Sequence, residues 1–161
     1  MGSHVERRDA RVRAARGLYR TFQHGTLCPN LTCRQNVMLG GHLRGRYGFA
    51  RTLTVVRGRG LEENRLGSEA DALLDELMVD RQFRDRLPQE IPYGLRRLVE
   101  IGVALMGKPR LLLLDEPAAG LVDEEIARLN DVLRGLLDAG MGIVLVEHHL
   151  KLVMDLADMV I

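Results

Sequence analysis

An α/β fold built on a parallel sheet is the architecture this sequence predicts, and three observations predict it. Leu111–Leu114 is a run of leucines ending in Asp115-Glu116-Pro117, the mark of a short strand buried on both faces. An amphipathic stretch follows, which Asp123 is expected to cap, with Ile126, Leu129, Leu133 and Leu136 or Leu137 inward and Gly140 closing it as a left-handed cap. Ile143–Val146 is then a second apolar run of strand length, also expected to be buried. Strand, helix, strand in this order describes a parallel pair joined by a crossover. His148 to Asp158 reads as one more helix, and Met159-Val160-Ile161 as the start of another strand. With so few strands the sheet is thin.

Upstream of this core the signals are helical. Thr32 followed three residues later by Gln35 is a capping-box pattern, and Val37, Met38 and Leu39 furnish a short helix that Gly40-Gly41 is expected to end. Arg44 to Gly67, rich in Arg and Gly, reads as loop with at most one helical turn. Ser68 and Asp71 are expected to open a helix through about Val79, with Ala72, Leu73, Leu77 and Met78 near one face. From Leu95 to Met106 the apolar positions Leu98, Val99, Ile101, Val103 and Leu105 describe a mostly buried helix ended by Gly107 and Pro109. Residues 1–8 are expected to be a disordered or tag-like start and stand outside the fold.

Composition narrows the class. A chain of 161 residues is expected to form one domain, and 46% hydrophobic residues with 4% aromatic and no tryptophan fit an ordinary α/β protein rather than a disordered one. No apolar run approaches the roughly 20 residues that cross a bilayer, and the arginine-rich start lacks the apolar segment of a secretory signal, so a cytosolic protein is expected. Cys28 and Cys33 match neither the usual zinc pair nor a redox Cys-x-x-Cys, and are expected to be thiols. Charge is lopsided: thirteen Lys and Arg stand against four Asp and Glu up to Arg65, and ten against eighteen beyond it. Such a basic front half suits nucleic acid, anionic lipid headgroups, an acidic partner, or simple solvation.

The chemistry sits at the strand ends. Parallel sheets hold ligands outside the carboxyl ends of their strands, where Asp115 and Glu116 fall. Asp115 can hold Mg²⁺ through water, since that ion prefers hard oxygen ligands and keeps its hydration, while Glu116 can polarise an attacking water. His148 lies just beyond the second strand, where an imidazole can donate to a phosphate oxygen. Together these residues describe nucleotide hydrolysis. No G-x-x-x-x-G-K-[ST] occurs in the sequence, and that loop is what cradles the phosphates of a bound nucleotide, so half of an ATP site is expected to be missing.

Taken in order, Thr21-Phe22-Gln23, Ile91-Pro92-Tyr93-Gly94, Leu114-Asp115-Glu116-Pro117, Ala119-Gly120-Leu121 and Glu147-His148 resemble the motifs of ABC transporter ATP-binding subunits. Within that superfamily, Arg20–Gln23, Pro92-Tyr93-Gly94, Asp115–Leu121 and Glu147-His148 through Lys151–Met154 look most like branched-chain amino acid importers of the LivG type. The resemblance runs from about Asp9 to Ile161 and lacks the family's front, with its Walker A loop, and its final strands. It implies a partial nucleotide-binding domain over residues 9–161. An ABC helical subdomain would occupy about 24–95, and a partial RecA-like, P-loop NTPase core about 96–161. It also implies a bare edge on the Ile143 strand, which would otherwise lie beside the Walker A strand.

The resemblance further implies ATP and Mg²⁺ as ligands and assigns roles. Gln23 matches the Q-loop glutamine, which contacts Mg²⁺ and the attacking water. Asp115 would serve the metal, Glu116 the water and His148 the γ-phosphate. Ile91–Leu95 stands at the signature motif, where a helix amino terminus offers N–H groups to a nucleotide held by a partner subunit, making Tyr93 and Gly94 the candidate contacts. Leu95 in place of Gln, and Val122 in place of the D-loop Asp or Asn, depart from the pattern. The implied partners are transmembrane permease subunits, a second ATP-binding subunit in a head-to-tail dimer and, indirectly, a solute-binding protein. The chain would lie peripherally on the cytoplasmic face of the membrane, and no nucleic acid is expected. Alone it is not expected to hydrolyse ATP efficiently. Two other roles fit the same residues: a non-catalytic subunit docking on a permease or a complete ATPase, and an ABC-type ATPase fragment acting on nucleic acid.

Overall fold

The leucine run forms the middle of the sheet. In the computed structural model, which describes residues 18–20, 27–42 and 59–160, the strands are β1 (Leu18–Arg20), β2 (Leu111–Asp115) and β3 (Gly142–Val146). They are all parallel and lie in the order β1-β2-β3. Leu111 pairs with Gly142 and Asp115 with Val146, so residues of equal rank share a face. Leu112 and Leu114 are fully buried, with Ile143 and Leu145 partly buried beside them. The other face, carrying Val144 and Val146, is open.

This corrects the expectation that the Ile143–Val146 strand is buried. Val144 and Val146 are 43% and 48% exposed, because no helix among the described residues covers their side of β3. A second correction concerns the third strand. Met159 and Val160 are exposed and belong to no strand, whereas Leu18–Arg20 pairs with Leu111–Leu113. So short a segment carries no periodicity of its own, and its strand character comes from the partner it pairs with.

Helices occupy the positions between. They are α1 (Cys33–His42), α2 (Arg59–Glu76), α3 (Arg81–Arg84), α4 (Tyr93–Met106), α5 (Asp123–Asp138) and α6 (Leu150–Leu156). The capping box forms as expected: the Thr32 N–H donates to Gln35 Oε1 at 2.9 Å and the Gln35 N–H to Thr32 Oγ1 at 3.2 Å. Gly40-Gly41, however, does not end α1 but lies within it. A Cβ on Gly40 would stand 2.0 Å from the Val103 carbonyl oxygen, and one on Gly41 2.7 Å from Leu66 Cδ2. These glycines let α1 approach α4 and α2 closely, and that contact outweighs their poor helix propensity.

The segment expected to be loop up to Gly67 is helical from Arg59, while residues 43–58 lie outside the described ones. Ser68 therefore sits inside α2, its hydroxyl donating to the Asn64 carbonyl at 3.0 Å. Ala70 and Leu74 are buried on α2 and Leu77 just past its end; of the expected Ala72, Leu73, Leu77 and Met78, Leu77 is buried and Leu73 packs partly against the core, while Ala72 and Met78 face solvent. Beyond α2, Met78 adopts a left-handed φ of 54° and the Val79 N–H returns to the Leu74 carbonyl. The buried Arg84 closes this end: its Nε and Nη2 donate to the Val79 carbonyl, Nη1 to Asp71 O and Nη2 to the Asp75 carboxylate. That last bond holds the Asp75 carboxyl below the usual range.

α4 matches its expected span closely and buries Leu98, Val99, Ile101 and Leu105. α5 ends as expected, with Gly140 at φ 84°. Its first residue is Asp123, but Asp123 makes no capping bond; Glu125 caps instead, accepting from the Val122 N–H at 3.2 Å. Among the described residues no helix is long and apolar enough to cross a membrane.

Two outcomes follow. Gly40→Ala should lower unfolding stability by about 1–3 kcal/mol, because the new methyl group meets backbone that cannot swing aside; chemical denaturation of the two chains measures it. Both cysteines are free, Cys28 exposed and Cys33 fully buried. Burial pushes the Cys33 thiol up to about 11, so at pH 8 it is protonated as well as inaccessible. Iodoacetamide should label one thiol in the native chain and both in guanidinium, as counted by mass spectrometry.

Candidate functional site

The carboxyl ends of β2 and β3 bring the acid pair and the histidine together. Past the last registered pair, Asp115 with Val146, the ladder continues by one bond, the Glu116 N–H donating to the Val146 carbonyl at 2.8 Å. Glu116 then takes a left-handed φ of 47°, a conformation costing a non-glycine residue roughly 1–2 kcal/mol. Such strain persists only where its surroundings enforce it, and it clusters at functional sites. With Pro117 next, the chain turns, and the Ala119 N–H closes on the Glu116 carbonyl at 3.2 Å. The strained turn lifts the Glu116 side chain out of the strand line, leaving one carboxylate oxygen 3.3 Å from His148 Nε2. His148 is 85% exposed and Glu116 about one third, so the pair faces an open side.

Glu147 locks this arrangement. Its Oε2 accepts from the Ala118 N–H at 3.1 Å, and its Oε1 from the N–H groups of His148 and His149 at 2.9 and 3.2 Å. One carboxylate thus ties the turn after β2 to the loop after β3. His149, unexplained by sequence, is the N-cap of α6: its Nδ1 accepts from the Leu152 N–H at 3.3 Å.

A second cluster forms where α4 begins. Tyr93 is the first residue of α4 and 42% exposed. Its hydroxyl accepts from Arg97 at 2.7 Å, and the guanidinium lies 5.2 Å from its ring centroid. Arg97 also pairs with the buried Glu100 at 3.0 Å. Gly94 is buried, and its N–H donates to Glu125 Oε1 at 3.0 Å. Leu95, which departs from the family pattern, is a core residue, 4% exposed. Val122 is exposed, its N–H held by the other oxygen of Glu125. Gln23 lies outside the described residues.

The structure therefore assembles Asp115, Glu116 and His148 in one place and Tyr93 and Gly94 in another, joined through the turn at 116–122. Glu125 and Arg97 drew no notice in the sequence, and Glu147 did so only as a neighbour of His148. Glu125 occupies the Glu position of a capping box, but Val122 stands where Ser or Thr would announce one. Among the described residues no group of three His, Cys, Asp or Glu is placed to hold a metal ion by itself; the carboxylates at the end of β2 suit Mg²⁺ shared with phosphates, which needs only one or two of them. Gly94→Ala should destabilise the chain by about 1–3 kcal/mol, because its Cβ would stand 2.6 Å from the Glu125 carboxylate carbon; thermal denaturation gives the value.

Comparison with known proteins identifies the family and the fold. The ABC transporter family model matches residues 2–119. The branched-chain amino acid transport ATP-binding proteins BraF of Pseudomonas aeruginosa and LivG of Salmonella typhimurium are each 31% identical, over 92% and 96% of this chain, which covers 58% and 61% of their lengths. The xylose import ATP-binding protein XylG of Geobacillus kaustophilus is 29% identical over 99% of this chain, which covers 29% of it. The chain thus spans less than two thirds of each relative. Among solved structures, an ATP-binding cassette of an ABC transporter in its ADP conformation superposes with a TM-score of 0.74 at 25% identity, covering 94% of this chain and 58% of that one. A dimeric cassette bound to ADP and phosphate superposes with a TM-score of 0.72 at 22% identity, covering 90% and 57%, and shows the shared fold alone. The fold is that of the P-loop NTPase cassettes, and the chain belongs to the ABC transporter family, as part of its ATP-binding domain.

Proposed function

We propose that the chain is part of the ATP-binding subunit of an ABC importer, coupling ATP hydrolysis to uptake of branched-chain amino acids or similar solutes. The observation that carries this is the convergence of Asp115, Glu116 and His148 at the carboxyl end of a parallel sheet. The solute class is supported by Pro92-Tyr93-Gly94 and by the likeness to LivG and BraF; sugar importers match at similar identity, so it rests on that motif. Permease subunits, a second ATP-binding subunit placed head to tail and, indirectly, a solute-binding protein are the partners this role calls for, on the cytoplasmic face of the membrane.

In this role Mg-ATP, when bound, supplies the phosphoryl group and the metal charge that offsets it. Asp115 would hold the metal through water at the end of β2. Glu116 would polarise the attacking water, its carboxylate presented by the strained turn. His148 would donate from its imidazole to a phosphate oxygen, its loop fixed by Glu147. Tyr93 would face a nucleotide held by the second subunit, as Gly94 would once its N–H, held by Glu125 in this structure, is released, and Gln23 would contact Mg²⁺ and the attacking water. No G-x-x-x-x-G-K-[ST] loop to cradle the phosphates occurs in this sequence. Comparable electrostatic groups change barriers by about 3–4 kcal/mol each.

A second role, a docking module without catalysis, is favoured by the exposed Leu150 and Met154, 77% and 74% accessible and four residues apart on α6. Calorimetric titration of Mg-ATP into this chain separates the two. Glu116→Gln is used to slow turnover, and the titration is run with and without a fragment bearing Walker A. Binding only upon complementation is the expected result. Tight binding by the chain alone would show the added loop to be dispensable, and no binding by the folded chain in either case would leave the docking role.

A further inference from the structure

Two carboxylates to which the sequence assigns no role meet the same turn. Glu147 reaches it from the loop after β3 and accepts the Ala118 N–H, while also holding the N–H groups of His148 and His149. Glu125 reaches it from the first turn of α5 and accepts the Val122 N–H, while its other oxygen holds the N–H of Gly94 at the start of α4. Each spans segments far apart in sequence, and all five bonds run from backbone donors to charged acceptors, the stronger class of hydrogen bond. From Glu116 to Leu121 the turn is short and internally bonded, Ala119 N–H to Glu116 O and Leu121 N–H to Ala118 O. The Tyr93 ring leans on it as well: a Cβ at Gly120 would lie 3.5 Å from Tyr93 Cε1.

We propose that Glu125 and Glu147 are paired positioning residues that clamp the 116–122 turn at two points, so that the His148 loop and the start of α4 move as one unit. A carboxylate suits this task because each of its oxygens accepts independently, so one side chain joins two backbone segments without contributing a proton. Displacing the His148 loop pulls on Ala118 through Glu147, moves the turn, and through Glu125 reaches Gly94. If the chain works as proposed above, the unit joins the groups serving its own nucleotide to those facing the nucleotide of the second subunit. That meaning rests on the proposed function; the mechanical link does not.

The test therefore needs no nucleotide. Backbone amide NMR of the ¹⁵N-labelled chain is compared with that of Glu125→Gln, Glu147→Gln and the double variant. Glutamine keeps the shape but leaves one accepting oxygen, so each clamp loses a strand of its attachment. Each single variant should shift amide resonances at the far end, His148 and His149 for Glu125→Gln and Gly94 for Glu147→Gln. Exchange at Ala118 and Val122 should rise about tenfold in either. The double variant should exchange little faster than the faster single one, because a clamp already open cannot open twice. Shifts confined to each variant's own end, with additive exchange rates, would overturn the proposal. Should Glu147→Gln not fold, Glu125→Asp, which draws the carboxylate back by one methylene, is read at His148 and His149 with the same two outcomes.

Discussion

The register of β2 against β3 is the constraint on which the rest of the molecule depends. Leu112 and Leu114 are buried on one side of the sheet, and Asp115 and Val146 end the ladder on the other. Because side chains alternate along a strand, a slip of one residue would turn both leucines to the open face and Asp115 into the core. Leu111 and Leu113 would take their places in the core, so leucine burial is much the same either way, and the slip is opposed by the cost of burying the Asp115 carboxylate. The Glu116 N–H bond to Val146 then carries the pairing one residue further and places the acid pair beside Glu147-His148. Site geometry and core packing are thus consequences of a single alignment.

A different principle governs the helices that lead into α4. There backbone approach matters more than side-chain bulk: Gly40 and Gly41 leave room for α4 and α2. Two buried polar side chains bind this packing together. Asn36, 2% exposed, accepts the Cys28 N–H at 2.7 Å and donates to the carbonyls of Cys28, Leu31 and Thr32, binding the preceding loop to α1. Arg84 does the same at the end of α2. Buried donors and acceptors left unpaired would each cost about 1–3 kcal/mol, so these bonds specify how the segments meet.

How much was legible beforehand depended on whether the information was local. α4, β2 and the end of α5 were readable because periodicity, an apolar run and a left-handed glycine are properties of neighbouring residues. Gly40-Gly41 was misread because the same dipeptide signals either a helix end or a close contact, and only the partner helix distinguishes them. The segment Arg59–Gly67 looked like loop on composition, yet it is helical and leads into the packed face of Ala70 and Leu74. Among the candidate site residues, the proximity of Asp115, Glu116 and His148 could be anticipated from strand ends. Glu125 and Glu147 could not be paired, since nothing in the sequence tells which backbone N–H a distant carboxylate will meet.

By itself, then, the sequence determined the parallel α/β class, the acid pair at the end of a buried strand, and the two thiols. Each follows from chemistry carried by adjacent residues. Only the tertiary structure decided which short segment completes the sheet, why two glycines lie inside a helix, which face of β3 stays open, and that two carboxylates join at one turn. Those outcomes depend on contacts between segments tens of residues apart. Their energies come from surfaces and hydrogen-bonding groups that exist as partners only once the chain has folded.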